Sequence, residues 1–306
     1  MGFSITILGS SSATPIINRN PSAHVVNIHE RLFLVDCAEG TQMQLLRYKI
    51  KFQRLHHIFI SHLHGDHFFG LIGLISTLHL LGRKQPLTIY APVGLEEIID
   101  LQLKASDTTL QYPLIYHTIQ PDFAGIIYKN DDISIIAFPL QHTIPTHGFI
   151  FKENPKTPKI KKDFVEEYKP DIHSIYQIKK GKDFIDSEGK LYLNQDITHE
   201  PAHSYSYAYC SDTRYDEKII PFIKGVDLLY HEATFLSDRI ENAHDKLHAT
   251  AAEAAIIAKK AGVKQLLIGH YSARYREDED LENFRREADE HFPNTILAKD
   301  GMTLQL

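Results

Sequence analysis

Residues 61–67, Ser-His-Leu-His-Gly-Asp-His, place four side chains able to ligate a metal ion, His62, His64, Asp66 and His67, within six positions. Imidazole and carboxylate without thiolate suit zinc, with manganese or iron as the other candidates. His62 and His64, two apart in extended chain, point the same way and can share one ion. Asp66 and His67 lie beyond Gly65 and are better placed for a second. A run of surface histidines would account for one such residue. Four ligand types at this spacing between two apolar elements make a metal site. The 19 histidines in 306 residues, well above ordinary usage, fit a histidine-rich centre.

The flanking elements must position these ligands. His57–Ile60 reads as a buried strand, and Phe68–Ile75 opens a helix, so the ligands sit on a loop at a strand end that solvent can reach. Upstream, Phe3–Leu8 is a first strand rather than a signal peptide, and His24–Ile28 and Leu32–Val35 form a hairpin with its tip at Glu30-Arg31. Residues 39–50 read as a helix with Met43, Leu45, Leu46 and Ile50 on its apolar face. A helix from about Gly94 to Lys104 turns Leu95, Ile98, Ile99 and Leu101 inward. Strands then follow over 114–119, 125–128, 133–138 and 147–151.

Past the middle, single ligand-type residues stand at the ends of apolar strands: His142 after Ile135–Gln141, Asp212 after Tyr207–Ser211, and His270 after Leu266–Gly269. Such residues converge when the strands lie side by side. Thr250 and Glu253 form a capping box that starts a helix running to Gly262, which leaves His248 in the loop before it, free to project into a site.

Residues 152–203 differ from the rest. They carry ten lysines and four prolines with few apolar clusters, and read as a solvated, partly extended basic arm able to grip an anionic polymer, or else as a disordered insertion. No apolar run is long enough to span a bilayer. Cys37 and Cys210 are too few for a disulfide framework and read as buried thiols, so a cytoplasmic protein is expected.

His62-Leu63-His64-Gly65-Asp66-His67 matches the HxHxDH signature of the metallo-β-lactamase superfamily. More narrowly, the chain resembles the short-form ribonuclease Z family, which trims tRNA precursors at the 3′ end. That resemblance rests on Leu8–Pro15 with Arg19-Asn20, on Asp36–Gln42, His231–Thr234 and His248–Thr250, and on His270–Tyr275, in that order. It implies an α/β fold, an αββα sandwich of two packed sheets flanked by helices, forming a single domain over 1–306 with the arm inserted. It also implies two Zn2+ ions per chain. His62, His64 and His142 would hold one, Asp66, His67 and His270 the other, and Asp212 would bridge. Asp66 would act as general base, and His248, held by Glu232, would protonate the leaving 3′-oxygen or position the phosphate. Ser272 and Arg274 would contact phosphate. The resemblance further implies a homodimer in which one subunit's arm holds precursor tRNA for the other's site, with Lys179, Lys180 and Lys182 among the contacts. The family's arm usually carries a Gly-Pro pair, for which Lys169-Pro170 is the nearest equivalent here. A small-molecule thioesterase or lactonase of the superfamily would share all seven ligands, but would have no use for the arm.

Overall fold

The computed structural model describes residues 2–14 and 16–306; Met1 and Pro15, the last residue of the N-terminal motif, lie outside the described residues. The chain divides into two units, residues up to Phe151 together with Ser206–Leu306, and Lys152–Tyr205.

The larger unit begins with β1 (Phe3–Gly9), β2 (Ala23–Ile28) and β3 (Arg31–Val35), and positive φ at His29 and Glu30 closes the hairpin between the last two. Next come α1 (Thr41–Arg47), β4 (Leu55–Phe59), α2 (Gly65–Phe68), α3 (Leu71–Leu80), β5 (Leu87–Pro92), α4 (Leu95–Ala105) and β6 (Leu114–Ile119). Strands β7 (Gly125–Lys129), β8 (Ile133–Leu140) and β9 (Thr146–Glu153) lead out to the second unit. That unit holds β10 (Lys159–Ile160), α5 (Lys162–Tyr168), α6 (Ile172–Lys179), β11 (Phe184–Ile185), β12 (Leu191–Tyr192), α7 (Asn194–Ile197) and β13 (Thr198–His199). The chain returns through β14 (Ser206–Cys210), α8 (Ile220–Ile223), β15 (Leu228–Glu232), α9 (Ile240–Asp245), α10 (Ala251–Ala261), β16 (Gln265–Gly269), α11 (Asp278–Asp289), β17 (Ile296–Leu297) and β18 (Thr303–Gln305).

The long strands form two seven-stranded sheets, ordered β18-β1-β2-β3-β4-β5-β6 and β17-β16-β15-β14-β9-β8-β7. Rings interleave between them: Phe33 meets Phe151 at 5.8 Å and Phe59 meets Phe149 at 5.6 Å, centroid to centroid. Outside one sheet, Leu71, Leu74, Ile75 and Leu78 of α3 pack on Ile58 and Ile89. Outside the other, Ala254, Ala255 and Ala258 let α10 lie close on Leu229 and Ile268. The expected αββα sandwich is present. Strands β3–β6 and β14–β17 run parallel; β14, β15 and β16, buried on both faces, read as nearly unbroken apolar runs, whereas β6 at the sheet edge is largely exposed.

Several local expectations need correction. The helix predicted over 39–50 spans only Thr41–Arg47, and Met43 and Leu46 are exposed; its buried residues are Thr41, Gln44 and Leu45. Gln44 is inside because its amide donates to the Leu8 carbonyl and to Asp300, a polar anchor that periodicity cannot register. In α4, Leu101 is exposed and Leu103 is buried in its place. Asp66 and His67 lie on the single helical turn α2 rather than on a loop.

The second unit is neither extended nor basic overall. Ten acidic residues balance the ten lysines of 152–203 and leave the segment neutral. Phe164, Ile178 and Ile197 form a small core, joined by the Phe184 and Tyr192 rings, and Asp171 caps α6 by accepting from the Ser174 amide. Lys169 ends α5 at φ 42, a left-handed conformation that glycine would adopt more readily.

Candidate metal centre

The ligand-type residues sit where parallel strands end. His62 follows β4, Asp212 follows β14 and His270 follows β16, while His142 leaves the end of β8. At two of these exits the backbone is forced into the left-handed region, Asp36 after β3 at φ 55 and His270 at φ 63.

Three groups of ligand-type side chains form among the described residues; one, Glu232 with His248 and His270, includes the hydrogen-bonded His248–Glu232 pair, and the other two are donor groups joined to each other. His62, His64, His142 and Asp212 make one; Asp66, His67, His270 and Asp212 make the other. Asp212 belongs to both, with one oxygen toward each: Oδ2 lies 3.7 Å from the Nε2 atoms of His62 and His142, and Oδ1 lies 3.4 Å from His67 Nε2 and 3.2 Å from His270 Nε2. Asp66 Oδ2 completes the second group at 3.5 Å from both histidines. Four donors around one zinc at about 2.0–2.1 Å stand roughly 3.3–3.4 Å apart, so these separations suit one ion per group.

The outer hydrogen bonds settle which ring nitrogens face inward. His67 Nδ1 donates to Asp36 Oδ2 at 2.8 Å, and His142 Nδ1 donates to the Leu247 carbonyl at 3.0 Å. Thr234 gives its proton to Glu232 and so accepts from His270 Nδ1 at 2.8 Å. Ser61 likewise donates to Asp36 and accepts from His62 Nδ1 at 3.0 Å. All four Nε2 lone pairs therefore point into the site. There His62 Nε2 faces His64 Nδ1 at 3.1 Å, and His67 Nε2, His270 Nε2 and Asp212 Oδ1 are buried without a hydrogen-bond partner. Converging lone pairs and orphaned acceptors call for cations. Charge agrees: burial opposes it, but Asp212, Asp66 and Asp36 together drive His67 well above the usual histidine range. The residues present fit a pair of metal ions.

Beside the second group, His248 Nδ1 donates to Glu232 Oε1 at 2.8 Å. Burial lowers the affinity of His248 for its second proton, yet Glu232, aided by Asp212 and Asp66, overrides this and pushes its pKa up to about 9. Glu232 itself is fully buried and also accepts from the amides of Thr213, Thr234 and Ala249 and from the Thr234 hydroxyl, so it holds His248 directly and His270 through Thr234. The capping box of α10 is present as expected and fixes the chain just beyond His248.

His64, Asp66, His142, Asp212, His248 and His270 open into a cavity of about 1070 Å³, whose walls also include Ser272, Arg274, Arg276 and Lys246. Ser272 and Arg274 thus line the same cavity as the ligand-type residues. Lys179, Lys180 and Lys182 belong to the second unit, where Lys179 and Lys180 line a groove of about 790 Å³ with Lys156. Sequence reasoning missed Asp36, Ser61, Thr234 and Tyr209, which hold the ligand-type residues from behind; Asp36 and Thr234 carry only the weak signal of lying at strand ends.

A family model described as anti-Pycsar protein Apyc1 matches residues 3–154. Ribonuclease Z of Bacteroides fragilis is 45% identical over 304 residues, covering 99% of each chain. The ribonuclease Z of Cytophaga hutchinsonii is 46% identical over 302 residues, 98% of this chain and 95% of its own. Among solved structures, the short form of human tRNase Z is 26% identical with a TM-score of 0.71, covering 98% of both chains. The metallo-β-lactamase-fold protein YhfI of Bacillus subtilis, 20% identical over the whole of both chains with a TM-score of 0.69, shares the fold.

Proposed function

The chain belongs to the ribonuclease Z family, and from that premise we propose how its cavity removes the 3′ trailer of tRNA precursors. It is a metal-dependent endoribonuclease of tRNA 3′ processing. The observation that carries our reading is the pair of donor groups joined through Asp212, with the His248–Glu232 pair beside them. Both ions would be zinc: His62, His64 and His142 would hold one, Asp66, His67 and His270 the other, with Asp212 available to both. When bound, they acidify an attacking water and offset negative charge on the phosphoryl oxygens.

The rest of the chemistry falls to side chains. Asp66 Oδ2, at the mouth of the second group, takes the proton from the attacking water. His248, protonated at neutral pH through Glu232, gives a proton to the departing 3′-oxygen, which leaves a 3′-hydroxyl on the tRNA. Glu232 acts through His248, and through Thr234 it also orients His270. Arg274, with its Nη1 3.4 Å from Ser272 Oγ, and Ser272 hold the phosphate.

The second unit serves as a tRNA-holding arm through local lysine clusters rather than net charge, with Lys179, Lys180 and Lys182 on phosphates. A homodimer is supported by the open apolar side chains Met43 and Leu46 on α1 and Leu80 on α3, two helices joined by a Gln42–Thr77 hydrogen bond. Two free, buried cysteines suit the cytoplasm. No helix among the described residues is long and apolar enough to cross a membrane.

The test is incubation with a tRNA precursor bearing a 3′ trailer. Release of the trailer with a 3′-hydroxyl on the tRNA, abolished by a chelator and restored by zinc, is expected. An intact precursor would overturn the reading.

A further inference from the structure

Phe69 lies just past the helical turn that carries Asp66 and His67, and it lines the same cavity as the ligands. Its ring is 65% exposed, whereas Phe235, the other phenylalanine of that wall, is 2% exposed. The ring is nonetheless held. A Cβ on Gly65 would fall 2.2 Å from its Cε2 atom, so Phe69 occupies the space that glycine leaves open between two ligand residues. Behind it, the buried Phe68 ring meets it edge-on at a centroid distance of 5.0 Å. Fixed on one side and open on the other, the Phe69 ring is the one exposed phenylalanine face among the described residues of a cavity whose remaining walls are mostly polar and charged, and it suits a flat apolar occupant. The basic wall of Lys246, Arg274 and Arg276 lines the same cavity and suits an anion. A nucleotide joins both chemistries in one molecule.

We propose that Phe69 is a stacking platform for the nucleobase of one of the two nucleotides flanking the scissile phosphate. This deepens the ribonuclease reading and rests on it. Stacking is indifferent to base identity, because every base presents a π-face, so the platform sets position rather than sequence. Its pre-held ring orders a splayed single strand at little entropic cost, which brings the phosphate over Asp212 and within reach of His248.

The experiment compares the parent with Phe69→Ala and Phe69→Trp on three precursors: intact, abasic at the last nucleotide of the tRNA, and abasic at the first nucleotide of the trailer. Phe69→Ala should lose about 5- to 100-fold in kcat/KM on the intact precursor, the usual worth of one base stack, and Phe69→Trp should retain activity. On one of the two abasic precursors the parent and Phe69→Ala should become equal. Metal content, unfolding temperature and oligomeric mass should be the same in all three proteins. The platform is overturned by full activity of Phe69→Ala on the intact precursor, by an equal penalty on all three substrates, or by a change in metal content or subunit association, which would make the ring structural. A parent that leaves the intact precursor uncut overturns the ribonuclease reading itself, and the platform with it.

Discussion

The Tyr209 hydroxyl donates to Asp36 Oδ2 at 2.7 Å, from a strand of one sheet to a residue at the end of a strand of the other. The same carboxylate takes the Ser61 amide and hydroxyl and fixes His67 through Nδ1. Tyr209→Phe removes one of four donors and loosens His67 without touching a ligand. Affinity for metal at the group containing His67 should fall roughly 10-fold, read by chelator competition. Stability should drop by about 1.5–3 kcal/mol in denaturant titration, because the bond is buried and its acceptor charged. Unchanged metal retention would mean that Asp36 needs no help.

Removing a ligand tests the centre directly. His64→Ala takes one of the four donors from the first group, and the protein should lose metal and precursor cleavage together. Asp66→Ala should abolish cleavage outright, as it deletes both a ligand and the proposed base. Elemental analysis beside activity reads both, and full cleavage by either metal-depleted variant would count against the assignment.

His248 is predicted to act by giving up a proton. His248→Ala should keep its metal and lose roughly 10²- to 10⁴-fold in rate. The protonated form is the active one, and with a pKa raised to about 9 it is present through neutral pH and lost as pH rises through that value. Glu232 is the chief cause of the rise, so in Glu232→Gln the basic limb of the kcat profile should move to lower pH. A limb that stays in place would assign it to another group.

Arm lysines should act on binding alone. Replacing Lys179, Lys180 and Lys182 together by Ala should raise KM for precursor tRNA and flatten its salt dependence. Hydrolysis of bis(p-nitrophenyl) phosphate should be unaltered, since all seven proposed ligands lie in the other unit. Equal loss on both substrates would make these lysines structural.

Within the arm, Lys169 holds a left-handed conformation at φ 42. Lys169→Gly should relieve that strain, partly offset by the added freedom of the unfolded chain, for a net gain of up to about 1 kcal/mol in arm stability. Slower amide hydrogen exchange in α5 and α6 would report it.

How far the site could be read in advance depended on whether its residues are ligands or supports. His142, Asp212 and His270 announce themselves because each ends an apolar strand, and the two packed sheets bring those ends together. Asp36 and Thr234 also sit at strand ends, but nothing in their type marks them as partners of His67 and His270. Tyr209 could not be found at all, since within an apolar strand a tyrosine reads as core until the facing sheet supplies its acceptor. The same limit misjudged Met43 and Leu46, where one buried glutamine, Gln44, set the inward face of α1. In the arm, lysine counting outran the acids interleaved with them.

His62 and His270 are separated by most of the chain, yet Asp212 ties their donor groups into one centre. A ribosome that has not yet delivered β16 has made every ligand of the first group but not the last of the second. The second donor group is therefore completed only late in synthesis, when His270 has been made. Both sheets must be in place before the second donor group is complete, which makes hydrolytic competence a report that the whole sandwich has closed.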